Sequence, residues 1–146
     1  MFVEQMLSRA RERLAVIEAE APVKDAANLM SAPHVDLVIV CDRGVMVGVV
    51  TKTDIVAQIS QCLGANCMAR VGTIMKRDVA FCRATELLKD VWTTMKNRGL
   101  QRIPVLDQGH KPIGIIYSRD ALQYLLGESQ IEDGFLRDYI MGVGYR

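Results

Sequence analysis

The hydrophobic positions of this chain change period several times, and the order of the changes is the same in both halves. Residues 3–14 carry apolar side chains at Val3, Met6, Leu7, Ala10 and Leu14, a helical spacing, with Arg9, Arg11 and Arg13 giving a basic, solvated opposite face. Leu14–Ile17 is a short strand candidate. Pro22 stands where a helix can begin, and Val23–Met30 places Ala26, Ala27 and Met30 along one helical side. Leu37–Cys41 and Val45–Val50 are unbroken apolar runs on either side of an Asp42-Arg43-Gly44 turn. Continuous β-branched runs of this length predict strands buried on both faces. From Thr51 to about Leu63, Ile55, Val56 and Ile59 recur at helical spacing.

The order then begins again. A strand is expected at Val79–Cys82, a helix at Glu86–Asn97, a strand at Ile103–Leu106, a turn at Gln108–His110, a strand at Pro112–Ile116 and a helix at Ser118–Leu126. Each half reads β-α-β-β-α. The repeat is also visible in residue identity. Gly48-Val-Val-Thr-Lys-Thr-Asp54 falls on Gly114-Ile-Ile-Tyr-Ser-Arg-Asp120 at an offset of 66, and Leu37-Val-Ile-Val40 falls on Ile103-Pro-Val-Leu106. Upstream, an offset of 65 aligns Ala15, Ala19, Lys24, Asp25 and Met30 with Ala80, Ala84, Lys89, Asp90 and Met95, so one copy carries an extra residue. The fold class is α/β (α+β), with two repeats packed as a pseudo-symmetric pair because one half cannot cover both faces of its sheet. The expected organisation is an N-terminal helix (1–12), a first repeat (13–63), a linker (64–72), a second repeat (73–127) and a C-terminal helical tail (128–146).

Composition narrows the function classes. Half of the 146 residues are hydrophobic, 24% are charged and the formal net charge is +1. That is an ordinary globular balance without the basic excess of a nucleic-acid binder, so no nucleic acid is expected as partner. No run approaches the ~18 apolar residues of a membrane helix, and no signal-peptide apolar region opens the chain, which suggests no membrane association and a cytoplasmic location. Cys41 and Cys82 lie in apolar runs and read as core residues. Cys62 and Cys67 lack a close second pair, and His34 and His110 are distant, so no metal site is expected. No nucleophile–base arrangement is evident, and the chain is not expected to be an enzyme. Trp92 sits at helical spacing and reads as packing.

The repeated Gly-h-h-x-x-x-Asp segment, where h is apolar, carries the candidate chemistry. In the first copy Thr51 and Asp54 have the spacing of a helix capping box, which is a sufficient structural explanation for them. In the second copy Tyr117 cannot cap in that way, yet Asp120 persists. The same geometry also suits a ligand. A strand running into a helix N-terminus presents free N–H groups to a phosphate, and the acid can accept from a neighbouring diol such as ribose.

Residues 13–127 resemble a tandem pair of cystathionine β-synthase (CBS) domains, a Bateman module. The resemblance rests on the two Gly-h-h endings, on Arg102-Ile-Pro-Val-Leu-Asp107, and on Val71-Gly-Thr-Ile-Met-Lys-Arg-Asp78. It implies regulatory binding of an adenosine-containing molecule: AMP, ADP or ATP, with S-adenosylmethionine or NAD as further candidates and no cofactor required. It implies ribose contacts for Asp54 and Asp120, and phosphate contacts for Thr51, Thr53, Ser118, Arg119 and Arg102. It also implies a base pocket lined by Ala80 and Ile103, and a homodimer acting within itself or on a protein partner. Two residues depart from the pattern. Asp36 stands where the second repeat has Arg102, which would set a negative charge against a phosphate in the first site, and Tyr117 replaces a Ser or Thr. The Arg102/Asp120 site is therefore expected to be the competent one. The alternative is a ligand-free scaffold with degenerate clefts.

Overall fold

The computed structural model describes residues 1–61 and 68–132, and nothing in the sequence reading of 62–67 or 133–146 is addressed by it. A short 3-10 turn (Val3–Met6) runs into α1 (Leu7–Glu12), followed by β1 (Val16–Glu18), α2 (Val23–Leu29), β2 (Leu37–Asp42), β3 (Val45–Thr51) and α3 (Lys52–Gln61). The second half holds α4 (Val71–Ile74), α5 (Leu88–Arg98), β4 (Arg102–Leu106), β5 (Pro112–Tyr117) and α6 (Ser118–Glu132). β1 pairs parallel with β2 across the α2 crossover, and β2 pairs antiparallel with β3. Arg43 and Gly44, both at positive φ (56° and 81°), close that hairpin with the twist a tight turn needs. α6 runs through Gly127 to Glu132, so the last helix of the second repeat continues without a break into the first residues of the expected helical tail.

The expected strand at Val79–Cys82 does not form. Cys82 alone bridges β4, donating to Pro104 O and accepting from Leu106 N. The next amide, Arg83 N, faces away from β4 and donates to the Glu86 carboxylate at 2.6 Å. The second sheet is the β4–β5 hairpin.

Alternation along the strands builds three apolar clusters. Val38 and Val40 join Ile17, Val23, Ala26 and Ile55 under the first repeat's helices. Ile103, Val105 and Ile116 join Leu88, Val91 and Met95 under those of the second. Leu37, Ile39, Cys41, Met46 and Val49 meet Leu106, Ile115 and Tyr117 between the sheets. The apolar runs of β2 and β5 thus serve two cores at once, as burial on both faces requires. Trp92 packs against the second repeat's core.

The helices that precede each repeat exchange places. Val3, Met6 and Ala10 are fully buried in the second repeat's core, whereas Val71 is buried in the first. The backbone repeats the exchange bond for bond. Val3 N donates to Glu86 O (2.9 Å), Glu4 N to Ala84 O (3.0 Å) and Leu88 N to Met1 O (2.9 Å). On the other side Val71 N donates to Ala21 O (2.8 Å), Gly72 N to Ala19 O (2.9 Å) and Val23 N to Ala69 O (2.9 Å). These crossings tie the two repeats together at both ends.

Burial controls the thiols as well. Desolvation pushes the Cys41 pKa up to about 11 and that of Cys82 to about 12, with the nearby Glu18 and Glu86 charges adding to the respective shifts. A thiol shifted this far is roughly one part in a thousand thiolate, or less, at pH 8. Iodoacetamide at pH 8 is therefore expected to leave Cys41 and Cys82 unmodified in the folded protein and to label both in urea. Peptide mapping that found Cys82 labelled equally fast in both states would contradict this core.

Candidate functional site

The repeats meet at a cleft where both hairpins end. Leu37 pairs with Thr51 and Arg102 with Tyr117, so the register brings Asp36, Lys52, Arg102 and Ser118 to the same edge of the molecule. The cleft encloses about 260 Å³ and is lined by His34, Asp36, Gln101, Arg102, Tyr117, Ser118 and Arg119. A hollow of about 410 Å³ beside it shares Gln101, Ser118 and Arg119 and adds Trp92, Lys96 and Leu122. Together these volumes reach the range of small-molecule sites, which begins near 300 Å³.

Tyr117 organises the cleft. Its ring is buried at 5% exposure, and its hydroxyl donates to the His34 carbonyl at 2.6 Å. His34 holds that carbonyl in place from a left-handed backbone conformation, φ 70°. The Arg102 and Arg13 guanidinium carbons lie 4.8 and 4.5 Å from the ring centre, so two cations stack on one aromatic. This explains the departure from Ser or Thr at 117: a hydroxyl residue could not carry either stack.

Asp36, expected to set a negative charge against a phosphate in the first site, pairs with Arg102 across the cleft. Arg102 Nη2 donates to Asp36 Oδ2, and Lys52 Nζ lies 3.0 Å from Asp36 Oδ1. The Lys52 hydrogen bond, then the Arg102, Lys52 and His34 charges, hold the Asp36 carboxyl below its ordinary pKa, against a smaller opposing effect of burial. Arg102 retains a buried Nε–H without a hydrogen-bond partner. Unmade bonds of that kind are costly, so an acceptor placed there would be gained at little desolvation cost.

Asp120 is 3% exposed and accepts two bonds from Arg13, from Nε at 2.9 Å and from Nη2 at 3.2 Å. Arg13 is thus no member of a solvated basic face. Its Asp120 hydrogen bond raises the guanidinium pKa above its usual value, outweighing partial desolvation. In the first repeat Asp54 Oδ2 accepts from Thr51 N (2.9 Å) and Thr51 Oγ1 (3.0 Å), which is the capping arrangement, and Lys76 Nζ stands 3.8 Å from Oδ1. Thr53 is exposed on the first turn of α3. Ile103 (2% exposed) is buried in the second repeat's core, and Ala80 packs against the same cluster. Neither lines the cleft.

Ser118, Arg119 and Arg102 are therefore brought together, while Thr51, Thr53 and Asp54 lie at the end of the other hairpin. Sequence reasoning missed Arg13, His34 and the cooperative part of Asp36. No periodicity separates Arg13 from Arg9 and Arg11. Its role follows from its place at the end of α1, where the chain turns towards β1 and across the second repeat. Among the described residues no cluster of His, Cys, Asp or Glu can hold a metal ion, and no helix is long and apolar enough to cross a membrane.

Comparison with known proteins places this geometry. A 31% identical stretch of 110 residues, 75% of this chain, occurs in a homoserine O-acetyltransferase of Methanococcoides burtonii, and it spans 22% of that protein. An uncharacterised protein of Methanocaldococcus jannaschii is 26% identical over 112 residues, 77% of this chain and 36% of its own length. The chain thus spans well under half of these curated relatives. Among solved structures, CBSX2 in complex with AMP superposes with a TM-score of 0.68 at 27% identity, over 84% of this chain and 93% of that one. A CBS domain pair in complex with 5′-methylthioadenosine and S-adenosyl-L-methionine gives a TM-score of 0.69 at 22% identity, over 88% and 98% of the two chains. With the CBS domain family matching at residues 3–61 and again at 71–127, each match opening on one of the exchanged helices, this chain belongs to the CBS-domain family as a tandem pair.

Proposed function

We propose that this chain is a regulatory module that binds an adenosine-containing ligand of the AMP, ADP or ATP class in the cleft between its repeats. The observation that carries the reading is the juxtaposition of Arg102, Ser118 and Arg119 at the start of α6, with an unpartnered Arg102 Nε–H among them. A phosphate bound there exchanges for Asp36 on Arg102, while Lys52 keeps Asp36 compensated. Asp120 is the proposed ribose acceptor. The Thr51, Thr53 and Asp54 region is the lesser site, because it lies outside the lining of the cleft that holds Arg102, Ser118 and Arg119. The ligands in the structures of CBSX2 (AMP) and of the related domain pair (5′-methylthioadenosine and S-adenosyl-L-methionine) support the ligand class.

The signal would pass through a homodimer or to a protein partner. Val56 and Ile59 on α3 are 64% and 52% exposed, an apolar strip that a second copy would cover. A second reading, a ligand-free scaffold, is favoured by one observation: Asp54 and Asp120 both have partners within the chain.

The test is thermal denaturation against AMP, ADP, ATP, S-adenosylmethionine and NAD. A ligand at a hundred times its dissociation constant adds about 2.7 kcal/mol and raises Tm. A rise with at least one ligand, abolished or strongly reduced in Asp120→Asn, is expected. No rise with any of the five selects the scaffold.

A further inference from the structure

The nucleotide reading leaves one contact unused. Both oxygens of Asp120 are taken by Arg13 in a forked pair, and Arg13 also stacks on Tyr117 at the wall of the cleft. With Asp120 3% exposed, a ribose cannot reach its oxygens without moving the guanidinium.

Displacing Arg13 has different consequences for different ligands. A neutral nucleoside would offer two hydroxyls to Asp120 and nothing to Arg13, which would lose a charged partner in a partly buried place. A phosphorylated nucleoside would offer hydroxyls to Asp120 and, to Arg13, a phosphate whose geometry suits a guanidinium fork. Asp36 cannot serve as the substitute partner, since Arg102 and Lys52 already hold it.

Resting on the nucleotide reading, we infer that Arg13 is an internal occupant of the Asp120 carboxylate, and that it makes the cleft select phosphorylated nucleosides over neutral ones. Arg13 is a specificity-determining residue supplied by the segment preceding the first repeat to a site on the second. Because α1 is anchored in the second repeat's core through Val3, Met6 and Ala10, the Arg13 backbone stays beside Asp120 and Tyr117 even when the pair is broken.

Calorimetric titration of AMP and of adenosine into wild type, Arg13→Ala and Arg13→Gln tests this. Circular dichroism checks the fold of each variant. Arg13→Gln retains amide donors for Asp120 should the alanine variant be poorly folded. Wild type is expected to bind AMP roughly tenfold or more tighter than adenosine, a difference of about 1.4 kcal/mol. In the Arg13 variants the ratio falls towards one because adenosine binds more tightly. An unchanged ratio overturns the inference while leaving the nucleotide reading intact. A ratio that falls because AMP weakens, with adenosine unchanged, makes Arg13 a plain phosphate ligand and overturns it also. Failure of both ligands to bind wild type and variants removes the nucleotide reading and the inference together.

Discussion

Removal of residues 1–12 is expected to abolish cooperative folding of the second repeat. Val3, Met6 and Ala10 are completely buried in that repeat's core, and three backbone hydrogen bonds join residues 1–4 to 84–88. Burial of Val3 and Met6 contributes about 1.5–3 kcal/mol each. With the hydrogen bonds added, the loss is on the order of 5 kcal/mol, comparable with the whole stability of a small domain. Trp92, the chain's one tryptophan, packs against this core and reports on it. Urea unfolding followed by Trp92 fluorescence should show the transition lost or its midpoint at less than half the full-length value. A midpoint unchanged by the truncation would mean that the N-terminal segment is an appendage and that the exchanged-helix architecture is wrong.

Gly114→Val should have the second-largest effect on the fold, for a related reason. A Cβ on Gly114 would lie 2.7 Å from Ala10 Cβ and 3.0 Å from the Ala10 backbone carbon. Gly48 occupies the corresponding place in the first repeat, where a Cβ would meet Lys76 O at 2.6 Å. In both copies the glycine of the repeated segment is the point at which the exchanged helix, or the residues just after it, crosses a strand. Valine at 114 forces α1 away from β5, an overpacking cost of about 1–3 kcal/mol or somewhat more. Calorimetry should show Tm lowered by roughly 3–10 °C. Gly109→Val, where a Cβ meets only the Asp107 side chain at 3.4 Å, should cost much less. Equal losses for the two variants would place the effect in strand propensity rather than in the crossing.

The architecture was legible in the sequence wherever one residue pattern has one outcome. The runs at 37–41 and 45–50 formed strands buried on both faces, and the Asp42-Arg43-Gly44 turn closed them. The helix at 86–97 formed as Leu88–Arg98 and ended at Gly99 in the left-handed conformation. Apolar periodicity announces a buried face without saying which core receives it, so the crossing of Val3, Met6 and Ala10 into the other repeat could not be read. The strand expected at 79–82 is reduced to a single bridge at Cys82, and its apolar pattern does not announce how many of its residues find a partner strand.

The site was legible in its residues and less so in its wiring. Arg102, Ser118 and Arg119 do line one cleft. Asp36 marked a departure from the family pattern, and the structure turns it into the partner of Arg102 and Lys52. Arg13 lies 107 residues from Asp120, and no spacing rule connects them. A charged pair of such separation is decided by tertiary packing alone, and it is this pair that governs access to the second repeat's carboxylate.

The central claim is that an adenosine nucleotide occupies the Arg102/Ser118/Arg119 cleft, and a calorimetric titration of AMP into wild type and Arg102→Gln tests it most directly. The account predicts saturable binding at one AMP per chain in wild type, weakened roughly tenfold or more in Arg102→Gln, as expected for loss of a charged hydrogen bond worth about 1.5–3 kcal/mol. AMP binding of the same affinity and stoichiometry in both proteins would contradict it, because the phosphate would then lie outside this cleft.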